Sequence, residues 1–507
     1  MSLFFCKAFV LRNDGNLIMK ILFIIADVFL SAPLGIMQLS AICKMHSHET
    51  RLATLRRHDI LQMVKEFNPD IIAYSVMSPD IERAKEVDIA ILSYLHSNKK
   101  RALRIMGGPH ATYFTKILKE MNLDAICIGE GDNAIIQIIN HSKEGKDFTG
   151  IPNVLCHSNY EAGLQNKELI TDLDSLPFIE NDIIFEAVPY YRTVQLRSFI
   201  TSRGCPYKCS YCHNSGYNRE FKGSGPIVRR YSVDRIIEEI KYTRDKYPPL
   251  KLIRFGDDTF VHKVDQWLED FVERYKSEIG IPFYCLMRSN LFSDEMARLL
   301  KEAGCISLSM SVEHGDENVR NTILKRGITD EKVIQSFGNA EKYGLKVQAN
   351  AMLGIPGTTL DHDLKTFHFM RSLKPHLLTL GIFCPFPGPE LTEYAIEKGY
   401  IQQSADLSIH YFSESLLTCF TDKEKLIQIN IMYLGAIFAS LPESFEGIFR
   451  FLIKLPFRPV YFFICKIYWL YRYLGIFPKM IPFNPLFIFR IFLDTMSYFK
   501  KRKKERI

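Results

Sequence analysis

Three cysteines within eight residues are the part of this sequence best suited to chemistry. Cys205, Cys209 and Cys212 lie in the run CPYKCSYC, directly after the apolar segment FITS at residue 199. The chain has 12 cysteines in 507 residues, which is too dilute for a disulfide scaffold, so the clustering indicates a metal site in a reducing compartment. Three thiolates suit three corners of a [4Fe-4S] cube and leave one iron open to a ligand from outside the protein. An open iron would make the site reactive.

Two other metal sites could use the same cysteines. A structural zinc site needs four ligands and would have to recruit His213 or a distant cysteine. The run from Cys209 to His213 also matches the attachment pattern of a c-type haem, although Cys205 would then be left over and the amino terminus lacks an export signal. A non-catalytic iron-sulfur or zinc protein is therefore the competing class.

The cysteines open a series in which strand-like and helix-like segments alternate. Further strand-like runs are KLIRFGDD at 251, FYCLMR at 283, ISLSMSVE at 306, KVQANAML at 346 and LLTLGIFCP at 377. Helical patterns between them cover Val233 to Lys246, Lys263 to Ser277, Asp294 to Ala303, Asp330 to Tyr343 and Leu360 to Leu373. Six such units predict a partial (β/α)6 barrel with its functional residues at the carboxyl ends of the strands.

An earlier alternating series predicts a second α/β unit. Its apolar runs are KILFIIADVF from Lys20, DIIAYSV at 70, ALRIM at 102 and DAICI at 124, which is typical of a Rossmann-like, doubly wound sheet that binds a ligand beyond its strand ends. Met19 is a second candidate for the start of the chain. We predict a Rossmann-like domain at 19–157, a linker at 158–196, the barrel at 197–400 and a helical carboxyl-terminal region with a basic, aromatic tail at 401–507.

The cysteine run, with Tyr211 just before its last cysteine, resembles the mark of the radical S-adenosylmethionine (radical SAM) family. The resemblance implies that the open iron chelates the amino and carboxylate groups of S-adenosylmethionine. It also implies that an electron from the cluster cleaves the sulfonium to a 5′-deoxyadenosyl radical. Residues expected to bind S-adenosylmethionine are Tyr211, Gly256, Asp257, Asp258, Glu313, Gly354, Pro356 and Gly357.

These residues match successive strand-end motifs of the family. Gly256 to Asp258 resembles the motif that binds the methionyl amino group, with Asp in place of the usual Gly-Glu. Glu313 occupies the acidic position near the ribose or methionine moiety. Gly354 to Gly357 resembles the turn that passes the adenine, although Thr358 stands where many relatives have Glu.

The first domain resembles the cobalamin-binding domain that precedes the barrel in one branch of this family. The resemblance rests on PLGIMQLSA, NPDIIAYSV, IMGGPHAT and DAICIGEGDNAI. Residues it places near cobalamin are Pro33, Gly35, Ser75, Gly107, Gly108, His110, Gly129 and Gly131. The signature D-x-H-x-x-G is absent, and His58, in RRHDI, does not replace it. We expect either cobalamin without that histidine ligand or a Rossmann-like domain without the cofactor.

The resemblance favours methylation of an unactivated carbon, with radical cyclisation, oxidation or rearrangement as the alternative. Methylthiotransfer is disfavoured because Cys6, Cys43, Cys127 and Cys156 do not suggest a second cluster. We expect an external electron donor such as a flavodoxin or ferredoxin.

The last 60 residues differ in charge from the rest of the chain. Residues 448–507 contain 13 Lys and Arg against Asp494 and Glu505, a net charge of +11, while the whole chain carries only +7. The remaining residues are therefore slightly acidic, which argues against a nucleic-acid partner. Cations interrupt the aromatic-rich tail too often for a membrane span, so we expect a cytoplasmic protein. Its tail is expected to lie on an anionic membrane and to bring the barrel mouth to that surface. We therefore expect a small, lipid-like substrate. The alternative is a helical hairpin packed on the barrel.

Overall fold

The computed structural model describes residues 18–28, 32–401 and 415–476. Its amino-terminal part contains a six-stranded sheet in the order β2-β1-β3-β4-β5-β6, parallel except for β6. The strands are β1 (Lys20–Ile25), β2 (Glu49–Thr54), β3 (Ile71–Ser75), β4 (Leu103–Gly107), β5 (Ala125–Cys127) and β6 (Val154–Cys156). The strand order reverses between β1 and β3, which opens a crevice at the carboxyl edge of the sheet.

Helices cover both faces of this sheet, as the doubly wound prediction requires. They are α1 (Leu34–Met45), α2 (Ile60–Phe67), α3 (Ile81–Ser97), α4 (Gly108–Tyr113), α5 (Ile117–Glu120) and α6 (Asp132–Glu144). The short helix α7 (Asp182–Ala187) lies in the predicted linker and packs against β2. His58 explains part of this contact, because its Nε2 lies 3.0 Å from the backbone oxygen of Ala187.

The second sheet is entirely parallel and has the order β14-β13-β12-β11-β10-β7. Its strands are β7 (Leu196–Phe199), β10 (Leu252–Phe255), β11 (Phe283–Arg288), β12 (Cys305–Glu313), β13 (Lys346–Leu353) and β14 (Leu377–Ile382). A separate two-stranded ribbon pairs β8 (Ser202–Arg203) with β9 (Arg229–Arg230). Six parallel strands confirm the predicted partial barrel.

Helices follow these strands on the outer face of the barrel. They are α8 (His213–Glu220), α9 (Val233–Lys246), α10 (Gln266–Arg274), α11 (Asp294–Ala303), α12 (Asp330–Lys342), α13 (Leu360–Ser372) and α14 (Glu390–Glu397). Ser232, Asp265, Ser293 and Thr329 each accept a backbone hydrogen bond at the start of a helix, which fixes where α9 to α12 begin. The predicted bounds of α9 and α11 agree with the structure.

Three helices complete the chain: α15 (Asp422–Phe438), α16 (Glu446–Leu452) and α17 (Arg458–Ile476). Helix α15 packs on β14, and α17 packs on α15. Lys346, the first residue of β13, donates to the backbone oxygen of Gly475, and Arg472 donates to that of His376, just before β14. The carboxyl-terminal end of α17 therefore lies at the amino ends of the strands.

This placement bears on the alternative expected for the basic, aromatic segment. Its described part forms a helical hairpin packed on α15 and β14, and the association of the tail with a membrane stays a prediction. The run Lys500 to Lys504 lies outside the described residues. Within the described ranges, no helix combines the length and the apolar character needed to cross a bilayer.

Candidate active site

The three cysteines lie in the loop between β8 and α8, at the carboxyl end of the barrel. Gly204 starts the loop with a φ of 90°, and a side chain there would collide with the backbone oxygen of Ile227, so only glycine fits. In the middle of the loop, the Ser210 backbone N–H donates to the oxygen of Leu324 at 3.1 Å, and the Ser210 oxygen accepts from the N–H of Leu391 at 2.8 Å. The loop is thus fixed to the ends of two other barrel units.

Arg288 supplies the positive charge beside these thiols. Its Nη1 lies 3.4 Å from the sulfur of Cys209, and its guanidinium stacks over the ring of Tyr207 at 3.8 Å. Arg288 ends β11, so the strand itself aims this side chain at the loop. Sequence reasoning missed Arg288, although its position at a strand end in the predicted barrel could have marked it.

The thiols share a partly buried environment. Burial raises the pKa of Cys205 and raises that of Cys212 to about 12, and the neighbouring thiols and Asp258 act in the same direction. Cation binding offsets this effect, because a metal-bound thiol is deprotonated. Among residues 18–28, 32–401 and 415–476, no group of three His, Cys, Asp or Glu side chains is arranged to hold a metal ion. Three thiols in one loop beside an arginine fit an iron-sulfur cluster by donor chemistry, and their assignment as ligands stays a prediction.

Tyr211 and Glu313, both predicted to lie near S-adenosylmethionine, are in direct contact. The Tyr211 hydroxyl donates to Oε1 of Glu313 at 3.0 Å, and Arg326 donates both to that hydroxyl and to Glu313. Glu313 has a φ of 72°, an unusual conformation for a residue with a side chain, and it stands where the pairing of β12 with β13 shifts register. The cysteine loop and the end of β12 are therefore joined by a buried charged network, of which Arg326 was not predicted.

Asp257 binds the end of β7 to the end of β10. Its Oδ1 accepts from the N–H of Thr201 at 2.8 Å and from the hydroxyls of Thr201 and Ser202 at 3.0 and 2.6 Å. Gly256 donates its N–H to Phe199 at 2.8 Å. Burial raises the pKa of Asp257 to about 6. One carboxylate oxygen thus has a structural role, while Oδ2 is buried without a hydrogen-bond partner.

The turn from Gly354 to Gly357 follows β13 and takes two left-handed glycines, with φ of 64° and 84°. Thr358 folds back onto the turn, with its N–H and hydroxyl donating to the oxygen of Ile355 at 3.1 and 2.8 Å. Thr358 therefore closes the turn at the position where many relatives carry Glu. Pro356 lies between the two glycines on the same turn, and the role of this turn in binding S-adenosylmethionine stays a prediction.

A small, mostly apolar cleft of about 60 Å³ opens at the carboxyl edge of the first sheet. Four residues predicted to lie near cobalamin line it: Ser75, Gly107, Gly108 and Gly131. At Gly108, with a φ of 81°, a side chain would approach the Ser75 hydroxyl to 2.8 Å. Apolar groups that sequence reasoning did not select, among them Tyr74, Met106 and Cys127, line the rest. No histidine lies among the described residues that line the cleft.

The other four predicted residues do not line this cleft. Pro33 and Gly35 lie at the start of α1. His110 is buried and its Nδ1 lies 2.9 Å from the Ser78 hydroxyl; burial lowers the pKa of His110 to about 4. Gly129, with a φ of 78°, packs so closely on the ring of Phe221 that a side chain would clash.

Two arginines of the β8–β9 ribbon, whose strands flank the cysteine loop in sequence, join it to the loop after β5 and the start of α6. Arg203 donates to both oxygens of Asp132 at 2.8 and 3.0 Å, and Arg229 donates to both oxygens of Glu130 at 2.9 and 2.8 Å. Tyr113 also donates its hydroxyl to the backbone oxygen of His213 at 2.7 Å. The carboxyl edges of the two sheets therefore face each other, with the cleft beside the cysteine loop.

Comparison with known proteins identifies both parts. Residues 24–139 match the B12 binding domain, and residues 199–370 match the radical SAM superfamily. The chain is a radical SAM enzyme with a B12-binding domain. The cofactors of these domains are a [4Fe-4S] cluster with S-adenosylmethionine in the second and cobalamin in the first. Of the alternatives, a c-type haem protein and a purely structural zinc protein are wrong.

Relatives of this radical SAM enzyme include methyltransferases. An uncharacterized methyltransferase of Pyrococcus horikoshii is 26% identical over 375 residues, which cover 72% of this chain and 78% of the relative. Cytidylyl-2-hydroxyethylphosphonate methyltransferase of Streptomyces wedmorensis is 22% identical over 433 residues, 77% of each chain. Other matches are anaerobic magnesium-protoporphyrin IX monomethyl ester cyclases and methylthiotransferases.

The fold has the same arrangement in a solved structure. The radical S-adenosylmethionine methyltransferase TsrM from Kitasatospora setae, with cobalamin and a [4Fe-4S] cluster bound, superposes with a TM-score of 0.62 at 16% identity. The superposition covers 77% of this chain and 76% of that chain. At this identity the likeness establishes the fold, including the order of the two sheets and the helical carboxyl terminus.

Proposed function

We propose that this radical SAM enzyme transfers a methyl group from S-adenosylmethionine, by way of cobalamin, to an unactivated carbon of a small molecule. The observation that carries the proposal is the pair of bidentate bridges, Arg203 to Asp132 and Arg229 to Glu130. They hold the loop beside the cobalamin cleft against the loop of the cysteines. A methyl group has to pass between the two cofactors, and this apposition provides the short path.

In this proposal Cys205, Cys209 and Cys212 hold the cluster. When bound, the cluster supplies single electrons and an open iron for S-adenosylmethionine, and cobalamin accepts and passes on a methyl group. Arg288 offsets the negative charge that accumulates at Cys209, because its guanidinium lies 3.4 Å from the sulfur. An external one-electron donor, such as a flavodoxin or ferredoxin, is required for this chemistry.

We assign the binding of S-adenosylmethionine to the ends of β10, β12 and β13. Gly256 and Asp258 offer backbone and carboxylate groups beside the cysteines. Glu313 carries a negative charge at the end of β12, held in place by Arg326 and Tyr211. The Gly354 to Gly357 turn exposes backbone in a conformation that suits close approach of a planar ring.

Cobalamin would bind without an imidazole from this protein. The described residues that line the cleft are glycines, serine and apolar side chains, which suit the burial of an apolar ring or tail. His110 does not serve as the cobalt ligand in this proposal, since its Nδ1 bonds to Ser78 and it does not line the cleft. The described residues that line the cleft would therefore hold cobalamin by backbone and apolar contacts.

The substrate proposal is a lipid-like metabolite, and it depends on the carboxyl-terminal segment. The net charge of +11 in residues 448–507 would draw the enzyme to an anionic membrane surface, at about 1 kcal/mol per basic residue near the lipid. We propose peripheral association of this kind. Because the carboxyl-terminal end of α17 lies at the amino ends of the strands, the substrate would reach the mouth from the side.

Product analysis after anaerobic reconstitution tests the reaction. The protein reconstituted with iron, sulfide and cobalamin, and reduced, should form S-adenosylhomocysteine from S-adenosylmethionine only when cobalamin is present. Cys212→Ala should abolish the reaction, while the matched control Cys305→Ala, at the amino end of β12 and so at the opposite end of the barrel from the loop, should retain it. Formation of 5′-deoxyadenosine alone, independent of cobalamin, would favour radical cyclisation, oxidation or rearrangement instead.

A further inference from the structure

One face of α17 is apolar and exposed. Val460, Ile464, Ile467 and Tyr471 are between 43% and 72% exposed, and their spacing of four, three and four residues places them on one stripe of the helix. Tyr461, Tyr473 and Ile476, on the other side of the helix, are buried. The helix therefore packs on the protein through one face and presents a second apolar face outward.

The neighbouring helix α16 extends this surface. Its Ile448 and Phe451 are 51% and 62% exposed, while Phe449 between them is buried against Phe367. The Tyr461 hydroxyl donates to the oxygen of Leu452 at 3.0 Å, so the two helices are in contact. We call Ile448, Phe451, Val460, Ile464, Ile467 and Tyr471 the apolar stripe.

The hairpin that carries the apolar stripe is firmly anchored. Asn430, buried in α15, donates to the backbone oxygens of Ile453 and Leu455 at 2.8 and 2.9 Å, within the connection between α16 and α17. The stripe is therefore a fixed surface. Elsewhere in the described residues, large exposed apolar side chains such as Met77, Ile89 and Ile334 are scattered, which is normal for a protein surface.

Charge decides between the partners that could cover the stripe. Exposed Arg450 and Lys454 flank it, and the segment that contains it carries 13 Lys and Arg against two acidic residues. A bilayer with anionic lipids accepts apolar side chains and an excess of cations together, without a matching shape. A protein partner would have to offer an acidic, apolar groove of matching length.

We propose that the apolar stripe of α16 and α17 is the surface by which this enzyme lies on an anionic membrane. The inference rests on the peripheral association proposed above and names the residues that carry it. The apolar side chains would enter the headgroup region, while Arg450 and Lys454 beside them would contact lipid phosphates. The stripe lies on the outward face of α16 and α17, which pack on α15.

Vesicle flotation of the full chain tests this surface. The wild type is expected to float with vesicles of phosphatidylcholine and phosphatidylglycerol and to stay behind with phosphatidylcholine alone. The variant Ile464→Ser, Ile467→Ser, Tyr471→Ser should bind the anionic vesicles about tenfold more weakly or worse. The matched control Met45→Ser, Ile89→Ser, Ile334→Ser, at positions that are 59%, 67% and 56% exposed, should bind like the wild type.

Each outcome has one meaning. Equal flotation of the stripe variant and the wild type would overturn the assignment of the surface while leaving the association itself in place. Failure of the wild type to float would overturn both. Thermal unfolding of the stripe variant should match that of the control variant, because all six substituted side chains are exposed. The methyl-transfer proposal is tested independently, because formation of S-adenosylhomocysteine without vesicles should be the same in all three proteins.

Discussion

The backbone N–H of Gly354 donates to Oδ1 of Asp363 at 2.8 Å, which fixes the turn proposed to pass the adenine to the start of α13. Gln428 of α15 donates to the second oxygen of the same carboxylate at 2.8 Å. Helix α15 therefore helps to hold the turn of the proposed S-adenosylmethionine site in place. Asp363 and Gln428 are both fully buried. The two hydrogen bonds that hold the turn therefore depend on the protonation of the Asp363 carboxyl group.

The buried carboxyl group of Asp363 predicts that the free energy of unfolding depends on pH. Burial raises the pKa of Asp363 from its usual value to about 7, so the folded state binds a proton that the unfolded state releases at lower pH. Stability is therefore expected to fall as pH rises towards 7, by at most about 1.4 kcal/mol per pH unit. Asp363→Asn should remove this slope, because an amide does not titrate.

Urea unfolding between pH 5 and 8, a range set by the pKa of about 7, measures this slope. Asp361→Asn is the matched control, since Asp361 is exposed on the same helix and should leave the slope unchanged. A slope that persists in Asp363→Asn would assign the pH dependence to another group.

A side chain at Gly129 is predicted to clash with Phe221, in addition to the cost of the left-handed backbone conformation. Gly129 and Gly150 both have left-handed backbones, with φ of 78° and 90°, but only Gly129 faces a ring, that of Phe221. Alanine at either site incurs the backbone cost, and alanine at 129 should cost about 1–3 kcal/mol more because the ring has to move. Denaturant titration of the two variants gives the difference directly, and equal losses would show that Phe221 moves aside freely.

The Arg203 to Asp132 bridge predicts strong coupling between the domains. Both side chains are largely buried, and removal of one partner of a buried pair typically costs about 3–5 kcal/mol. Arg203→Gln should therefore destabilise the protein and slow cobalamin-dependent turnover. The double variant with Asp132→Asn should recover part of the stability, which a double-mutant cycle measures. Additive losses would mean that the bridge does not couple the domains.

Arg288 predicts a shift in cluster potential. Loss of its positive charge, 3.4 Å from the sulfur of Cys209, should favour the oxidised cluster and lower its midpoint potential by about 60 mV, which equals about 1.4 kcal/mol for one electron. Arg288→Gln should show this shift in a redox titration followed by electron paramagnetic resonance, while Arg288→Lys should retain most of the potential. Equal cluster midpoint potentials in Arg288→Gln and Arg288→Lys would show that the positive charge at residue 288 does not set the potential.

The sequence was most informative where local pattern decides structure. The cysteine loop, the apolar strands such as β11 and β13, and the serine-capped helices α9 and α11 follow from spacing and periodicity alone. Strand β2, ETRLAT, was missed because an edge strand with polar residues has no apolar run, and β7 begins at Leu196, inside the predicted linker. The predicted domain bounds themselves stay predictions.

Contacts between distant residues could not be predicted in the same way. Arg326 and Gln428 meet their partners only through the folded barrel, at sequence separations of 115 residues from Tyr211 and 65 residues from Asp363. A single arginine or glutamine in one sequence carries no local signal of such a partner. The cobalamin cleft shows the same limit, because glycines at strand ends were found and the apolar side chains around them were not.

Transfer of an isotopically labelled methyl group tests the central claim most directly. The reconstituted, reduced wild type is incubated with cobalamin and S-adenosylmethionine that carries a trideuterated methyl group, and the cobalamin is then analysed by mass spectrometry. We predict that the label appears on cobalamin in the wild type and in Cys305→Ala, and that Cys209→Ala transfers none. Unlabelled cobalamin in a wild-type preparation that cleaves S-adenosylmethionine to 5′-deoxyadenosine would contradict the account.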